Sequence, residues 1–425
     1  MKTICIWLIT LCTLTILATV SVAQIEEIAV GNTFGVGARA MGMGGAFLGV
    51  ADDFTALYWN PAGLAQIKKY ELFGSLSHSA LDAETQFTRA RPTEIGRAKT
   101  RPNSIGMVYP FDVRRGGFAL AFGYNRPQNF DSRIAIQGID PSSGGLFSGL
   151  DVDETNSNTG GLAIWSFGAG VFLSPNILLG GSFDFWHGNS FNELDSAAVD
   201  VRNIDSELAD FAFYDTIDRQ YYGVSGRIGL LAGIGEYVRV GLTAIAPTNL
   251  DIDEIWRQET VAVFDDGERE VYADKDITSY ELRRPFEFGA GVAVKLLQKQ
   301  LTLAGDIQFT DWTQTEYDPN PAEDILSEDF EQFYDSTIQI RVGAEYQIQP
   351  IRTSIRVGYL HDPLPFNRGD VDKDRNFITF GVGKIFDEVI KFDIAYMRGS
   401  WTRSGNSLTT GQTSNRVFVS AAYRY

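Results

Sequence analysis

Few residues of this chain have the types and spacing that catalysis requires. Gly35, Gly37 and Ala40 match the dinucleotide-binding pattern G-x-G-x-x-A. That pattern needs a preceding strand and a βαβ unit, whereas here it follows a leader-like segment and precedes an all-β chain, so we reject it. No serine occurs in a G-x-S-x-G motif, and no set of nucleophile and base is visible. The sequence therefore predicts that the protein is not an enzyme.

Metal-ligating residues are also poorly placed. One acidic run has the 1, 3, 5, 7 spacing of a calcium loop: Asp370, Asp372, Asp374 and Asn376. Arg375 stands where that loop needs glycine, and Gly381 stands where it needs a bidentate glutamate. The three histidines are far apart and lack metal-ligand spacing: His78, His187 and His361. We predict no metal and no cofactor.

The first 23 residues have the pattern of a secretory signal peptide. Lys2 precedes an apolar run from Ile4 to Val22, which ends in small residues up to Ala23. We interpret residues 1–23 as a cleaved signal peptide; the alternative is an uncleaved membrane helix. Both cysteines lie in this segment, so residues 24–425 have no thiol and form no disulfide.

Charge and length restrict the class further. The formal net charge of −18 argues against nucleic acid as a partner. An exported chain of this length without disulfides needs a large hydrogen-bonded or apolar structure. No later stretch approaches the roughly 18 consecutive apolar residues of a membrane helix, so any membrane span must consist of strands.

Alternation of apolar and polar residues supports that interpretation. From Val417 to Tyr425 the odd positions are apolar, and the even positions include Ser420 and Arg424. One such face suits lipid and the other suits water. We predict an all-β fold, a transmembrane antiparallel barrel of fourteen strands: approximately Tyr70–Ser79, Ser104–Pro110, Gly116–Asn125, Gly160–Phe172, Ile177–Gly188, Arg219–Ala232, Glu236–Ile245, Tyr280–Leu296, Gln300–Asp311, Ser336–Gln347, Ile351–Leu360, Asn376–Phe386, Val389–Ser400 and Ser414–Tyr425.

The connections between these strands alternate strictly in length, as they do in outer-membrane barrels. Short turns are predicted around Asp112, Ser174, Ile234, Gln298, Gln349 and Asp387. Long extracellular loops are centred near Thr93, Pro141, Asp205, Asp265, Asp324, Asp370 and Asn406. Both termini then lie on the short-turn side, which is the periplasm. One long loop is strongly acidic: Glu316, Asp318, Glu323, Asp324, Glu328, Asp329 and Glu331.

Aromatic residues occur where a membrane barrel has them. Tyr423 and Tyr425 end the chain on one face, and we interpret them as a signal to the barrel-assembly machinery. Four tryptophans lie in or at the ends of strands, as in an aromatic girdle: Trp165, Trp186, Trp312 and Trp401.

The N-terminal part of the chain resembles the hatch of the FadL-like outer-membrane transport family. The resemblance covers Gly37–Phe47, Val50–Asp53 and Ala56–Leu64, and Asn60-Pro61-Ala62 is its most specific part. Later positions also look like that family: Asp306 to Trp312, Arg356 to Tyr359 with Asp362-Pro363, and Asp374 to Asn376 before Gly381.

The resemblance implies a fourteen-stranded barrel plugged by residues 24–69, with the barrel over residues 70–425. It implies passive uptake of long-chain fatty acids or hydrocarbons through a rearranged hatch and a lateral opening in the wall. Carried over by residue, Asn60, Pro61 and Ala62 form the hatch turn, and three glycines allow tight packing in the lumen: Gly42, Gly44 and Gly45. Outer-membrane lipid and a hydrophobic ligand are the expected partners.

Two other functions stay open at this point. One is a barrel similar to the PorV-type components of type IX secretion, which bind protein partners. The other is a structural or adhesin-like barrel whose acidic loops contact other cells. Co-purifying secretion proteins would favour the first of these, and bound fatty acid or detergent would favour the channel.

Overall fold

Strands of this chain form one antiparallel sheet that closes on itself. The computed structural model describes residues 29–31, 33–87, 92–139, 149–202, 208–319, 334–366, 374–404 and 408–425. In this part of the chain there are eighteen strand segments: β1 (Glu71–Phe87), β2 (Thr93–Phe111), β3 (Phe118–Asn125), β4 (Ser132–Ile139), β5 (Asp151–Ser174), β6 (Ile177–Val199), β7 (Leu208–Ile234), β8 (Val238–Ile245), β9 (Thr248–Phe264), β10 (Arg269–Arg284), β11 (Glu287–Leu296), β12 (Leu301–Asp311), β13 (Glu316–Asp318), β14 (Ser336–Ile348), β15 (Thr353–Pro363), β16 (Asp374–Phe386), β17 (Ile390–Ser404) and β18 (Leu408–Arg424).

The eighteen segments make fourteen wall strands, because four wall strands are each broken into two. β3 and β4 both pair with β5, and β8 and β9 both pair with β7. β10 and β11 together form the next wall strand, because β10 pairs with β9 and β13 while β11 pairs with β8 and β12. β12 and β13 together form the wall strand after it. The predicted count of fourteen is therefore confirmed.

The first and last strands close the barrel. β1 pairs with β18 over its whole length, from Glu71 opposite Arg424 to Phe87 opposite Leu408. Tyr70 and Tyr425 exchange two backbone hydrogen bonds of 3.1 Å at the end of this seam. A closed sheet leaves no unpaired edge in the membrane, where unpaired backbone groups would be costly.

The predicted short turns lie where the alternation placed them. Each joins two consecutive wall strands, as at Asp387 and Glu388 between β16 and β17, where both residues have positive φ. At the other rim the strands run further than predicted; β7, for example, begins at Leu208 and not at Arg219. Beyond the lipid both faces of a strand are wet, so the alternation fades while the backbone ladder continues.

Two of the predicted long loops fall in the described part of the chain, and both predictions are wrong in length because the strands continue into them. Thr93 is the first residue of β2, and Asp265 lies in the short turn between Phe264 of β9 and Arg269 of β10. The other five predicted loop centres, the signal peptide and most of the acidic run lie outside the described residues. Of that run, Glu316 and Asp318 belong to the short strand β13.

The outer surface of the barrel carries a broad apolar belt. Side chains on one face of every wall strand are large, hydrophobic and between a third and two thirds exposed, among them Leu72, Ile105, Phe122, Phe167, Phe183, Val224, Phe288, Ile307, Ile340, Val357, Phe380 and Ile394. Soluble proteins rarely expose so much contiguous apolar surface, whereas a wall facing lipid requires it. Among the described helices, none has the length and apolar character to cross a membrane.

Residues 33–67 lie inside the barrel, and we call them the luminal segment. They include α1 (Ala38–Gly42), α2 (Ala56–Trp59) and a 3-10 helix (Pro61–Gln66). Nearly all of their side chains are buried, and they form one apolar core with inward-facing residues of the wall. Short 3-10 turns also occur at Trp312–Gln314 and Gln349–Ile351.

Candidate functional site

Glycines of the wall form the seat of the luminal segment. A β-carbon built on Gly180 would lie 2.3 Å from the carbonyl carbon of Pro61, and one on Gly241 would lie 2.1 Å from the oxygen of Leu48. On the opposite wall, a β-carbon on Gly358 would lie 2.2 Å from the nitrogen of Gly44. The segment therefore touches the wall backbone to backbone, which only glycine permits.

The three glycines singled out in the sequence, Gly42, Gly44 and Gly45, belong to the luminal segment and not to the wall. Gly44 and Gly45 have φ of +66° and +78°, which disfavour any side chain, and Gly42 packs against the Cα of Gly381. The structure thus brings Gly42 and Gly44 to the wall strands β16 and β15, while Gly45 lies beside Arg341 and Trp59.

Asn60 joins the segment to itself and to the wall. It is fully buried, and its Nδ2 donates to the carbonyls of Leu48 and Leu230, at 3.0 and 3.2 Å. Its Oδ1 accepts from the nitrogen of Ala62 at 3.2 Å and so caps the 3-10 helix, with Pro61 in the first turn. Asn60, Pro61 and Ala62 are therefore brought together as one turn that rests on β6, β7 and β8.

Wall side chains hold further backbone groups of the segment, and Asp306 and Thr379 are two of them. Asp306 accepts from the nitrogens of Phe47 and Leu48, at 2.6 and 2.8 Å. Thr379 accepts from the nitrogen of Gly44 at 3.0 Å and donates to the carbonyl of Gly42 at 3.1 Å. The sequence did not identify Asp306 and Thr379 as hydrogen-bond partners of the segment, although both are polar residues at inward positions of alternating strands.

A buried charge network fixes the short-turn end of the segment. Arg39 forms a bidentate ion pair with Glu345, with two distances of 2.9 Å, and also pairs with Asp52. Glu345 in turn accepts from the Nε of Arg356 at 2.6 Å. Burial alone would raise the pKa of Asp52, but the charges of Arg39 and Arg239 outweigh it and lower that pKa to about 2. The carboxylate of Asp52 is therefore ionised at any physiological pH.

On the other side of the segment, away from the short turns, buried hydrophobic side chains of several strands cluster inside the barrel, and we call this cluster the apolar chamber. It includes Phe130, Leu162, Ile164, Tyr221, Leu250, Ile252 and Leu282. Trp186 and Trp312 extend this chamber and enclose Arg284, whose guanidinium carbon lies 5.1 and 5.6 Å from their ring centres. Trp401 is buried in the core that the luminal segment forms with the wall, so three of the four tryptophans predicted for a membrane girdle point inward and only Trp165 is exposed.

Three buried arginines lie where the chamber meets the luminal segment: Arg227, Arg284 and Arg341. Arg227 stacks 4.7 Å over Tyr58, and Arg341 stacks 5.4 Å over Trp59. The Nε of Arg227, the Nε and Nη1 of Arg284 and the Nη1 of Arg341 are buried without a hydrogen-bond partner in the structure. Arg227 and Arg284 line a cavity of about 30 Å³ together with Tyr58 and Trp186.

The wall is interrupted in its third strand. β3 ends at Asn125 and β4 begins at Ser132, and we call residues 126–131 the wall break. The break bends toward the luminal segment: Pro127 accepts from the nitrogen of Phe34 at 3.0 Å, and Gln128 forms a bridge with Thr33. In the described part of the chain, the upper half of β2 pairs only with β1, and β4 pairs only with β5.

One ion pair spans this gap. Arg101 of β2 forms two hydrogen bonds with Asp131 at the end of the wall break, of 2.8 and 2.6 Å. No sequence pattern predicts this ion pair, because the two residues become neighbours only when the third strand leaves the ladder.

The remaining sequence candidates lie apart from the lumen. Tyr423 and Tyr425 project outward, 45% and 60% exposed, with ring centres 5.5 Å apart. Of the calcium-like run, Asp370 and Asp372 lie outside the described residues. Within the described ranges, no group of three or more His, Cys, Asp or Glu side chains is arranged to hold a metal ion.

Solved structures of similar fold are known. A FadL homologue of Pseudomonas aeruginosa superposes with a TM-score of 0.64 at 13% identity, over 93% of this chain and 99% of the other. The toluene transporter TodX of P. putida gives 0.66 at 14% identity, over 92% and 99%. The toluene transporter TbuX of Ralstonia pickettii gives 0.61 at 17% identity, over 93% and 100%. The chain therefore has the FadL-type barrel fold that the resemblance implied.

Comparison of sequences adds nothing to this result. No protein-family model matches the chain, and no curated protein matches it.

Proposed function

We propose that this protein is an outer-membrane channel of the FadL-like family for passive uptake of hydrophobic small molecules, with the luminal segment as its hatch. The observation that carries the proposal is the apolar chamber, which is closed below by that segment and is flanked by the wall break. The fold shared with a FadL homologue and with toluene transporters supports it. Both termini then lie in the periplasm, and Tyr423 and Tyr425 act as the assembly signal.

The structure favours a path through the wall. The free energy of an apolar solute falls when the solute passes from water into an apolar chamber, whereas a water-filled pore gives it no such stabilisation. Below the chamber the luminal segment is held by buried ion pairs, whereas beside it the wall break lacks a strand ladder to β2. Opening the gap needs fewer contacts to be broken than removing the segment. We therefore propose lateral release into the membrane.

The Asn60 turn is the proposed gating element. Its hydrogen bonds join the segment to β7, so a small shift of the segment under the chamber changes them first. On the opposite wall, Gly42, Gly44 and Gly45 of the segment pack closely enough that the segment can stay in place there during such a shift.

The test is uptake of a radiolabelled long-chain fatty acid by cells with and without the protein, together with an Asn60→Ala/Pro61→Ala variant. We expect deletion to abolish protein-dependent uptake and the variant to reduce it at least about tenfold, because three hydrogen bonds of a buried amide are lost. Surface expression of the variant must equal that of wild type. Unchanged uptake after deletion would reject the channel and make a protein-partner role the leading alternative.

The chamber arginines favour acids over hydrocarbons among the possible solutes. Their free donors, buried beside aromatic rings, match a carboxylate that carries an apolar chain. We expect Arg227→Met to reduce dodecanoate uptake about tenfold and to change toluene uptake less than twofold. Arg398→Met, at an exposed position of β17, is the matched control. An equal loss for both solutes would show that Arg227 serves the packing of the chamber only.

A further inference from the structure

A small hollow lies behind the wall break, where β1 carries two serines. Ser77 and Ser79 face the lumen, and their register neighbours are Arg101 and Lys99 on β2 and Phe418 and Arg416 on β18. Neighbours directly opposite on antiparallel strands share one face of the sheet. The short serine side chains leave space between the longer ones, and Phe34 and residues 126–129 cover it. We call this space the headgroup hollow.

The headgroup hollow has more positive than negative charge. Four cationic side chains border it: Lys99, Arg101, Arg126 and Arg416. One of them, Arg101, forms an ion pair with the carboxylate of Asp131. Asp131 already accepts hydrogen bonds from Nε and Nη2 of Arg101.

The other two arginines keep free binding capacity. Arg126 donates from Nη2 to the carbonyl of Gly160 at 2.6 Å, but its Nε is buried without a partner. Arg416 lies 3.3 Å from the ring centre of Phe34 and donates to the hydroxyl of Ser414 at 3.3 Å. Within the described ranges, no carboxylate forms an ion pair with Arg416. Removing a cation partly from water without a counter-ion costs free energy, and a bound anion would relieve that cost.

The height of the hollow in the wall indicates which anions reach it. The eight residues of β3 separate the wall break from the short-turn side. With a rise of about 3.3 Å per residue and a tilt of about 40°, the break begins about 20 Å above that side, near the outer margin of an apolar band about 25 Å tall. Headgroups of amphiphiles lie at that level, while their chains lie below it.

We propose that the headgroup hollow is an anion site that holds the carboxylate or phosphate of an amphiphile whose apolar chain lies in the wall break. A carboxylate would come from cargo leaving the chamber, and this source rests on the proposed function. A phosphate would come from a membrane lipid and is independent of that function. In both cases Arg126 and Arg416 supply the donors, and Arg101 stays bound to Asp131.

The test uses a single cysteine in the hollow. Residues 24–425 contain no cysteine, so Ser79→Cys in a Cys5→Ser/Cys12→Ser background gives one reporter. His78→Cys is the matched control, because it lies at the same height on the outward face of β1. The rates of alkylation by iodoacetate, which is anionic, and by iodoacetamide, which is neutral, are measured in dodecyl maltoside. Heat-modified mobility on gels confirms that each barrel is folded.

We expect the ratio of iodoacetate to iodoacetamide rates to be about tenfold higher at position 79 than at position 78, because the arginines attract the anion. Adding Arg126→Gln and Arg416→Gln is expected to abolish this difference. Dodecanoate should slow alkylation at position 79 by at least about fivefold, whereas dodecanol, which has the same chain, should not. Protection by phosphatidylglycerol vesicles in place of dodecanoate would assign the site to a lipid phosphate.

Equal ratios at the two positions, a ratio insensitive to the two arginines, or equal protection by dodecanol and dodecanoate would each overturn the proposal. Failure of the proposed anion site can be distinguished from failure of the proposed channel function. If cellular uptake is independent of the protein but the charge effect at position 79 holds, the channel falls and the lipid-phosphate source stands. If uptake holds and the charge effect is absent, the hollow is only a packing defect.

Discussion

Gly358→Val is expected to unseat the luminal segment and to leave a barrel that leaks. The new β-carbon would lie 2.2 Å from the nitrogen of Gly44 and 2.3 Å from the carbonyl carbon of Met43. Both are backbone atoms, so no side chain can rotate away, and the segment itself must move. Overpacking by one or two carbons ordinarily costs about 1–3 kcal/mol, and contact with backbone places this change at the upper end or above it.

The measurement for Gly358→Val is ion conductance in planar bilayers, together with the sensitivity of cells to a large antibiotic that the closed barrel excludes. The matched control is Gly74→Val, because a β-carbon at Gly74 meets nothing within 4 Å. We expect conductance at least about tenfold above wild type for Gly358→Val and none above wild type for Gly74→Val. A tight barrel with Gly358→Val would show that the segment tolerates displacement from β15.

Arg39→Met is expected to weaken the hold of the barrel on the short-turn end of the segment by about 3–5 kcal/mol, because it leaves Glu345 and Asp52 buried with fewer partners. The measurement is the urea midpoint at which a fluorophore attached within the segment becomes exposed. Arg352→Met is the control: its pair with Glu388 is at the surface and contributes about 0–1 kcal/mol. Equal midpoints for the two variants would mean that the network does not hold the segment.

The network also sets how the segment responds to acid. The pKa of Asp52 is lowered in the folded protein, so its contribution to stability is complete above the pKa of an unfolded aspartate and is lost only as the pH falls through about 2. Between pH 5 and pH 8 we therefore expect the contribution of Asp52 to the wild-type midpoint to stay constant.

Strand number, turn positions and barrel class could be predicted from the sequence because lipid imposes strict alternation on every wall strand. The positions of Asn60 and of Gly42 and Gly44 against the wall could be anticipated only through the family resemblance. Local composition says nothing about which strand faces which part of the segment. The seat is built from wall glycines such as Gly180 and Gly358, which in a sequence look like weak strand residues.

The chamber and the wall break could not be predicted, for a geometric reason. Arg227 and Arg284 lie on different wall strands, and each looks like an ordinary polar residue at an inward position. They meet at one cavity only because the barrel curves and because β10 and β11 are separated near Arg284. Likewise, Arg101 and Asp131 pair because residues 126–131 leave the ladder, and no periodicity marks that departure. A sequence signal that could have indicated the chamber is that Arg284, Trp186 and Trp312 all occupy inward positions in wall strands or directly after one.

The seam between β1 and β18 has a consequence for how the molecule is made. It joins residues near the start of the chain to residues more than 300 positions later, from Glu71 with Arg424 to Phe87 with Leu408. Contacts of such high order form late, so the wall cannot be completed before the last strand has been synthesised. The luminal segment touches wall strands on opposite sides of the barrel, such as β6 at Gly180 and β15 at Gly358, so closure of this seam also encloses the segment.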